Sequence, residues 1–338
     1  MTPEIKQRIE QMRRGEVPEG YVKKRKVVIP QQWGLPQIKD IASISSGSTP
    51  NRNNSEYWNG NIAWVTTGEL SSGHVNHTSE LITVKAVKET KMRIYPQGTL
   101  LMAMYGQGKT RGTVAILEID AAVNQACAAI TVKDGKSKFL FYQLKNSYQD
   151  IRKLSNTGNQ ENLNADIIKT YQVPWAPDEE QERISTILTT QDKVIKLKEK
   201  RLAEKQRQKK YLMQQLLTGK KRLPGFYGAW SFPKAKELFQ SVSDKDHNGD
   251  LAVLSSTQDR GIVPRDEVDI DIKYDACSLV NYKKVSKGNF VISLRSFQGG
   301  IEYSTYTGLV SPAYTVLSSR KEISDGYYKQ FFKSTDYI

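Results

Sequence analysis

At 338 residues the chain is too long for one ordinary hydrophobic core and suits two domains with a connector. Its 38% hydrophobic and 25% charged residues are typical of a folded protein and exclude a disordered or fibrous one. Lys and Arg outnumber Asp and Glu by 50 to 36, and the resulting charge of +14 attracts polyanions by counterion release, DNA foremost.

The first ten residues are charged and lack the apolar stretch of a signal peptide. No apolar run reaches the roughly 18 residues of a membrane span, so a cytoplasmic protein is expected. Ile5, Ile9 and Met12 fall at helical spacing and predict a short amphipathic helix, which with a basic, turn-rich tether makes up residues 1–28. Residues 29–176 mix strand-like runs, at 61–67, 98–105, 112–117 and 128–132, with Gly, Asn and Ser turns and a helical stretch near 138–146. Cys127 and Cys277 are the only cysteines and form no CxxC pair, which argues against a disulfide framework or a zinc site.

Composition shifts sharply at Pro177. Residues 178–218 contain no Gly or Pro and are rich in helix formers, with Asp178 and Gln181 as a capping box and Gly219 as a stop. Leu188, Ile195, Leu202 and Leu216 keep a seven-residue step, interrupted at Lys209, with Ile184 and Leu212 beside it. A seven-residue apolar repeat predicts pairing with another helix. At 1.5 Å per residue the rod is about 60 Å long, more than a compact domain buries alone. Residues 177–219 are therefore expected to form a coiled-coil spacer.

Residues 220–338 repeat the first domain. Trp33, Asp40 and Ile41 recur as Trp230, Glu237 and Leu238; residues 65–75, with Gly73, recur as 253–263, with Gly261. Gly98 and the strand after it recur at Gly288, and Val123 and Ala126 recur as Val310 and Ala313. The four matches come in order at offsets of 187 to 197 residues, which argues for a true repeat. The expected fold is α+β (mixed α/β), with two similar domains joined by a long helix. Only 21 residues follow Leu317, so the second domain reads as incomplete at its C-terminal end, without a second helix.

Chemical motifs are sparse. Ala103 to Thr110, with Gly108 and Lys109, fits a relaxed phosphate-loop pattern, but strand-like sequence follows it where a helix is needed. Glu89 with Lys91 and Asp271 with Lys273 have nuclease-like spacing and no upstream Asp partner. The Gly-rich loop and the Asn/Asp-Pro-Pro-aromatic loop of a methyltransferase are both missing. His74, His77 and His247 are too few and too scattered for a metal site, so no catalytic residue, metal or cofactor is expected. Polar loop chemistry remains. A Gly-rich hairpin carrying Gln107, Lys109 and Arg111, the 45–54 loop with Thr49 and Arg52, and the 156–162 loop with Asn159 and Gln160 offer donors to bases and phosphates. Arg260, Arg265, Arg295 and Gln298 occupy comparable loops of the second copy. For any one of these residues an ordinary surface turn is the competing reading.

The layout resembles the specificity subunits of type I restriction–modification systems. The likeness lies in the opening EIKQRIEQMRRGEVPEGY, residues 33–44, Ser46 to Pro50, and Trp64 to Leu70, where Thr67 joins the candidate DNA contacts. It continues through Asn156 to Gln160, Val173-Pro174 and the helix end from Leu212 to Arg222. Such subunits have two target-recognition domains, each followed by a helix, and the helices pair antiparallel. The resemblance implies a non-catalytic protein that binds a split site in double-stranded DNA and docks methyltransferase and restriction subunits. S-adenosylmethionine, ATP and magnesium would bind those partners. Two other readings stay open: a stand-alone DNA-binding dimer, in which two copies pair through the single helix, and a truncated, half-type subunit.

Overall fold

A computed structural model describes residues 2–106, 108–154, 162–257, 259–268, 276–293 and 300–334. The chain divides into two compact units, Met1–Lys196 and Leu197–Ile338.

Unit 1 opens with α1 (Pro3–Arg13), which has Pro at its start, Glu4 in its first turn and Arg13 in its last, each suited to the helix dipole. The hairpin β1 (Tyr21–Lys24) and β2 (Val27–Pro30) follows. Helix α2 (Ile38–Ile41) begins at a capping box in which the Gln37 N–H donates to Asp40 Oδ2 at 2.9 Å. Then come β3 (Ala42–Ser46), β4 (Trp58–Val65), β5 (His74–Val75), β6 (Glu80–Ile82), α3 (Val84–Thr90), β7 (Leu100–Ala103), β8 (Val114–Leu117), β9 (Ala121–Val123) and β10 (Cys127–Val132). Helices α4 (Ser137–Asn146), α5 (Tyr148–Lys153), α6 (Ala165–Thr170) and α7 (Asp178–Leu216) complete the order.

Five strands make one sheet in the order β3-β10-β7-β8-β5, and three make a second, β6-β4-β9. Every residue of β7 and β8 is buried, which explains their uninterrupted apolar sequence. Alternate residues serve opposite faces. Leu100, Met102, Ile116 and Ile130 share a core with Ile38, Leu140 and Ile168 of α2, α4 and α6. Leu101, Ala103, Leu117 and Ala129 instead meet Val65 and Val123 of the second sheet. The sheets approach closely at Gly47, where a Cβ would lie 1.8 Å from the Val123 carbonyl oxygen.

Unit 2 holds α8 (Ala235–Leu238), β11 (Phe239–Val242), β12 (Leu254–Thr257), β13 (Gly261–Pro264), β14 (Lys283–Val285), β15 (Phe290–Ile292), β16 (Ile301–Tyr303), β17 (Gly308–Val310), β18 (Thr315–Ser319) and α9 (Asp325–Phe331). Its main sheet, β11-β18-β15-β16, has the strand order of β3-β10-β7-β8. The registers correspond as well. Ile130 lies between Leu100 and Ile44, and Leu317 lies between Phe290 and Ser241, pairs separated by the same 187 to 197 residues as the sequence matches. The parallel pair His74 and Ile116 has its counterpart, one residue further along the strand, in the bridge Ile262 and Ser304. Gly98 and Gly288, at φ 88 and 97, turn the chain into β7 and β15.

The long helix spans 39 residues, within two of the expected end. Its start differs from the capping box expected there. The Gln181 side chain is buried and donates to the Ala176 carbonyl at 2.7 Å, so it does not reach back to cap the helix. Along the predicted seam Ile184 and Leu216 are half-buried, while Leu188, Ile195, Leu202 and Leu212 are exposed.

Candidate nucleic-acid interface

Antiparallel pairing places the end of β3, the start of β10, the end of β7 and the start of β8 in one row: Ser46 faces Ala128, Ala103 faces Cys127, and Met102 faces Val114. The connections leaving that row are the polar loops singled out above. Backbone hydrogen bonds tie them together. Ser48 N donates to the Val123 carbonyl (3.0 Å), Asn124 N to Val65 (2.9 Å), Met104 N to Ala126 (2.8 Å) and Leu163 N to Met104 (3.0 Å). Four stretches far apart in sequence, 47–54, 66–72, 104–113 and the segment entering α6, therefore share one end of the unit 1 sheets.

The individual residues differ in what they offer. Thr49 is exposed and its hydroxyl donates to Gln125 Oε1, joining two of the loops. Thr67 begins a 3₁₀ turn fixed by Glu69, whose carboxylate accepts the Thr66 N–H at 2.6 Å and the Ser79 N–H at 2.7 Å. Lys109 is exposed near the tip of the β7–β8 hairpin, and a strand, β8, follows that loop instead of the helix a phosphate loop requires. Arg111, expected at the surface, is only 7% exposed, and its main-chain carbonyl accepts a hydrogen bond from Arg152 of α5 at 2.8 Å. Its guanidinium is not presented to solvent as a contact would need.

Arg52 is half-exposed and engaged. It forms a two-pronged ion pair with Glu80, its Nη2 donating to Oε2 at 3.0 Å, and its guanidinium lies 4.0 Å from the Trp58 ring centroid and 4.9 Å from that of Trp64. The hydrogen bond to Arg52 holds the Glu80 carboxyl below its ordinary pKa, and the same bond raises that of Arg52. Polar composition in the 45–54 loop gave no sign of Glu80 or the two tryptophans, which arrive from β6 and β4. Beneath the loops, burial pushes the Cys127 thiol up to about 12, with the charge of Glu69 adding to it.

In unit 2, Arg260 sits in the β12–β13 turn and donates to the Glu267 carbonyl at 3.1 Å; Arg265 follows β13 and donates to Ser255 Oγ at 3.2 Å. The connection from β15 to β16 is the counterpart of the β7–β8 hairpin. Its Arg295 and Gln298, like Gln107, Asn159 and Gln160 of unit 1, lie outside the described residues. Among the described residues, no group of His, Cys, Asp or Glu is placed to hold a metal ion, and no helix is long and apolar enough to cross a membrane.

A sheet of one strand order thus recurs in both units, with polar loops gathered at one end in unit 1, and a 39-residue, largely exposed helix accompanies them. The profile of the Type I restriction modification DNA specificity domain matches residues 30–207, more than half of the chain, and the chain belongs to that family. It is 34% identical over 178 residues to the type I restriction enzyme MjaIX specificity subunit of Methanocaldococcus jannaschii, covering 51% of this chain and 40% of that one. The MjaVIII specificity subunit of the same organism is 25% identical over 208 residues, 58% of this chain and 48% of that one. The chain thus spans less than half the length of these curated relatives. The crystal structure of the HsdS subunit from Thermoanaerobacter tengcongensis has the same fold, with a TM-score of 0.51 at 15% identity over 94% of this chain and 84% of that one.

Proposed function

We propose that the chain is a non-catalytic DNA-recognition subunit whose two units each read one half of a split site in double-stranded DNA. The carrying observation is the convergence of loops 47–54, 66–72 and 104–113 at one end of the unit 1 sheets, on a chain of net charge +14. Loops fixed at their bases by a rigid sheet can hold donors at the spacing of base edges, while the cationic surface supplies affinity for phosphates. Thr49, Arg52, Lys109 and Arg260 are the exposed candidates among the described residues, Arg52 and Arg260 each engaged by a neighbouring glutamate; Gln107, Asn159, Gln160, Arg295 and Gln298 complete the set on sequence grounds. In this reading α7 sets the distance between half-sites and docks methyltransferase and restriction subunits. S-adenosylmethionine, ATP and magnesium belong to those partners.

The test is enrichment of random duplexes by the purified chain, alone and co-expressed with its methyltransferase subunits, together with mapping of methylated adenines in host DNA. A two-part motif with an unread gap is the expected outcome; enrichment of no sequence, with or without the partners, refutes the proposal. The exposure of Ile195 and Leu202 favours a second reading of the helix, in which two copies pair through α7. Sedimentation separates the two: a dimer without partners supports self-pairing, and a monomer that captures a methyltransferase supports docking.

A further inference from the structure

Tyr148 and Arg152 of α5 belong to none of the polar loops, yet both end on the β7–β8 hairpin. The Tyr148 hydroxyl donates to the Lys109 carbonyl at 2.7 Å. Arg152 Nη1 donates to the Arg111 carbonyl at 2.8 Å and to the Tyr148 hydroxyl at 3.1 Å, and its guanidinium lies 5.3 Å from the Tyr148 ring centroid. Gly112, at φ +81, lies against them; a Cβ there would meet Arg152 Cγ at 3.1 Å and the Tyr148 ring at 3.6 Å. The hairpin is held on its other arm by Met104, which bonds to Ala126 and Leu163.

The acceptors on the hairpin are main-chain carbonyls. A grip on the main chain fixes the path of a loop whatever side chains the loop carries. Lys109 shows the division of labour, since its carbonyl is bound by Tyr148 while its side chain is exposed.

We infer that Tyr148 and Arg152 are positioning residues that preorganise the hairpin for sequence discrimination, an inference that rests on the DNA-reading proposal above. Base-edge hydrogen bonds require a fixed donor position, whereas attraction to phosphates tolerates a mobile one. Losing the grip therefore costs discrimination before it costs general affinity.

The experiment compares the full-length parent with Tyr148→Phe, Arg152→Ala and Arg152→Lys. Affinity is measured over a range of salt for the duplex the parent enriches and for a scrambled duplex, alongside melting temperature. Tyr148→Phe and Arg152→Ala are each expected to lose about five- to tenfold in affinity for the enriched duplex, the worth of one hydrogen bond. Affinity for the scrambled duplex and salt slope should stay at the parent's values, and the melting temperature should fall by no more than about 2–4 °C, the share of one hydrogen bond. Arg152→Lys should recover part of the loss, because an ammonium can also donate to the Arg111 carbonyl. Should Arg152→Ala not fold, Tyr148→Phe, which removes only the hydroxyl that holds the Lys109 carbonyl, carries the test. Equal losses on both duplexes with a lowered melting temperature mean a merely structural role and overturn the inference, as does parent-like binding by all variants. A parent that enriches no sequence sinks the DNA-reading proposal and this inference with it, whereas parent-like variants of a selective parent sink this inference alone.

Discussion

Replacing Arg52 distinguishes a clamp from a DNA contact. Its side chain is 52% exposed and that of Glu80 is 35%, so their ion pair is well screened and contributes about 0.2–1 kcal/mol. Stacking on Trp58, 4.0 Å from the ring centroid, contributes a further ~0.5–1 kcal/mol. Arg52→Ala should therefore destabilise the protein by about 1–2 kcal/mol, lowering the melting temperature by roughly 2–8 °C in a domain of this size. Arg52→Lys should regain only part, because an ammonium offers neither the fork nor the flat face. The effect has a defined pH dependence. Pairing lowers the Glu80 pKa in the folded state below its unfolded value of about 4.3. The ion-pair part of the stabilisation is thus fully present above that value and disappears as pH falls through the lowered folded pKa, where the gap between parent and variant should narrow to the stacking contribution. A clamp leaves the salt dependence of DNA binding unchanged, whereas a phosphate contact reduces its slope by about 0.9. A reduced slope at parental melting temperature would refute the clamp.

Cys127, its thiol pushed up to about 12 by burial, should resist iodoacetamide at pH 8 in the native protein and react after urea unfolding; peptide mass spectrometry reads this, and rapid native labelling would contradict the burial. Glu69→Ala removes the acceptor for the Thr66 and Ser79 N–H groups and should cost about 2–4 kcal/mol in chemical denaturation; a cost below about 0.5 kcal/mol would mean that the turn holds itself. Ile195→Lys with Leu202→Lys, at positions 53% and 60% exposed, should leave unfolding within about 0.5 kcal/mol of the parent. The same pair should abolish dimerisation or methyltransferase capture, whichever the parent shows, and an unaffected assembly would remove the seam from the interface.

Local features of the fold are legible in the sequence. Freedom from Gly and Pro marked α7 to within two residues, and the Gly-rich, strand-flanked stretch after Ala103 marked the β7–β8 hairpin. Of the four sequence matches, the strands after Gly98 and Gly288 pair in the same register with β10 and β18. Side-chain partnerships were not legible, since each joins distant segments. Arg52 meets Glu80 across 28 residues and Tyr148 meets Lys109 across 39. Arg111 looks like its exposed neighbour Lys109 in composition, yet it is buried and its carbonyl is bound from α5, 41 residues away.

The same limit explains why the repeat is faint in sequence and plain in structure. What recurs is the strand register and the turn geometry at Gly98 and Gly288, while the side chains between them are exchanged. The pairs Leu101 with Ala115 and Val291 with Glu302 make Glu302 the counterpart of Ala115. Ala115 is buried in an apolar core, and Glu302 is buried too, at 4% exposure. Burial raises the Glu302 carboxyl pKa, and the Lys333 ammonium, 2.9 Å away just after α9, opposes the rise. A carboxylate is tolerated at a core position because a cation from another element meets it, so two such units can keep one strand order while sharing few residues.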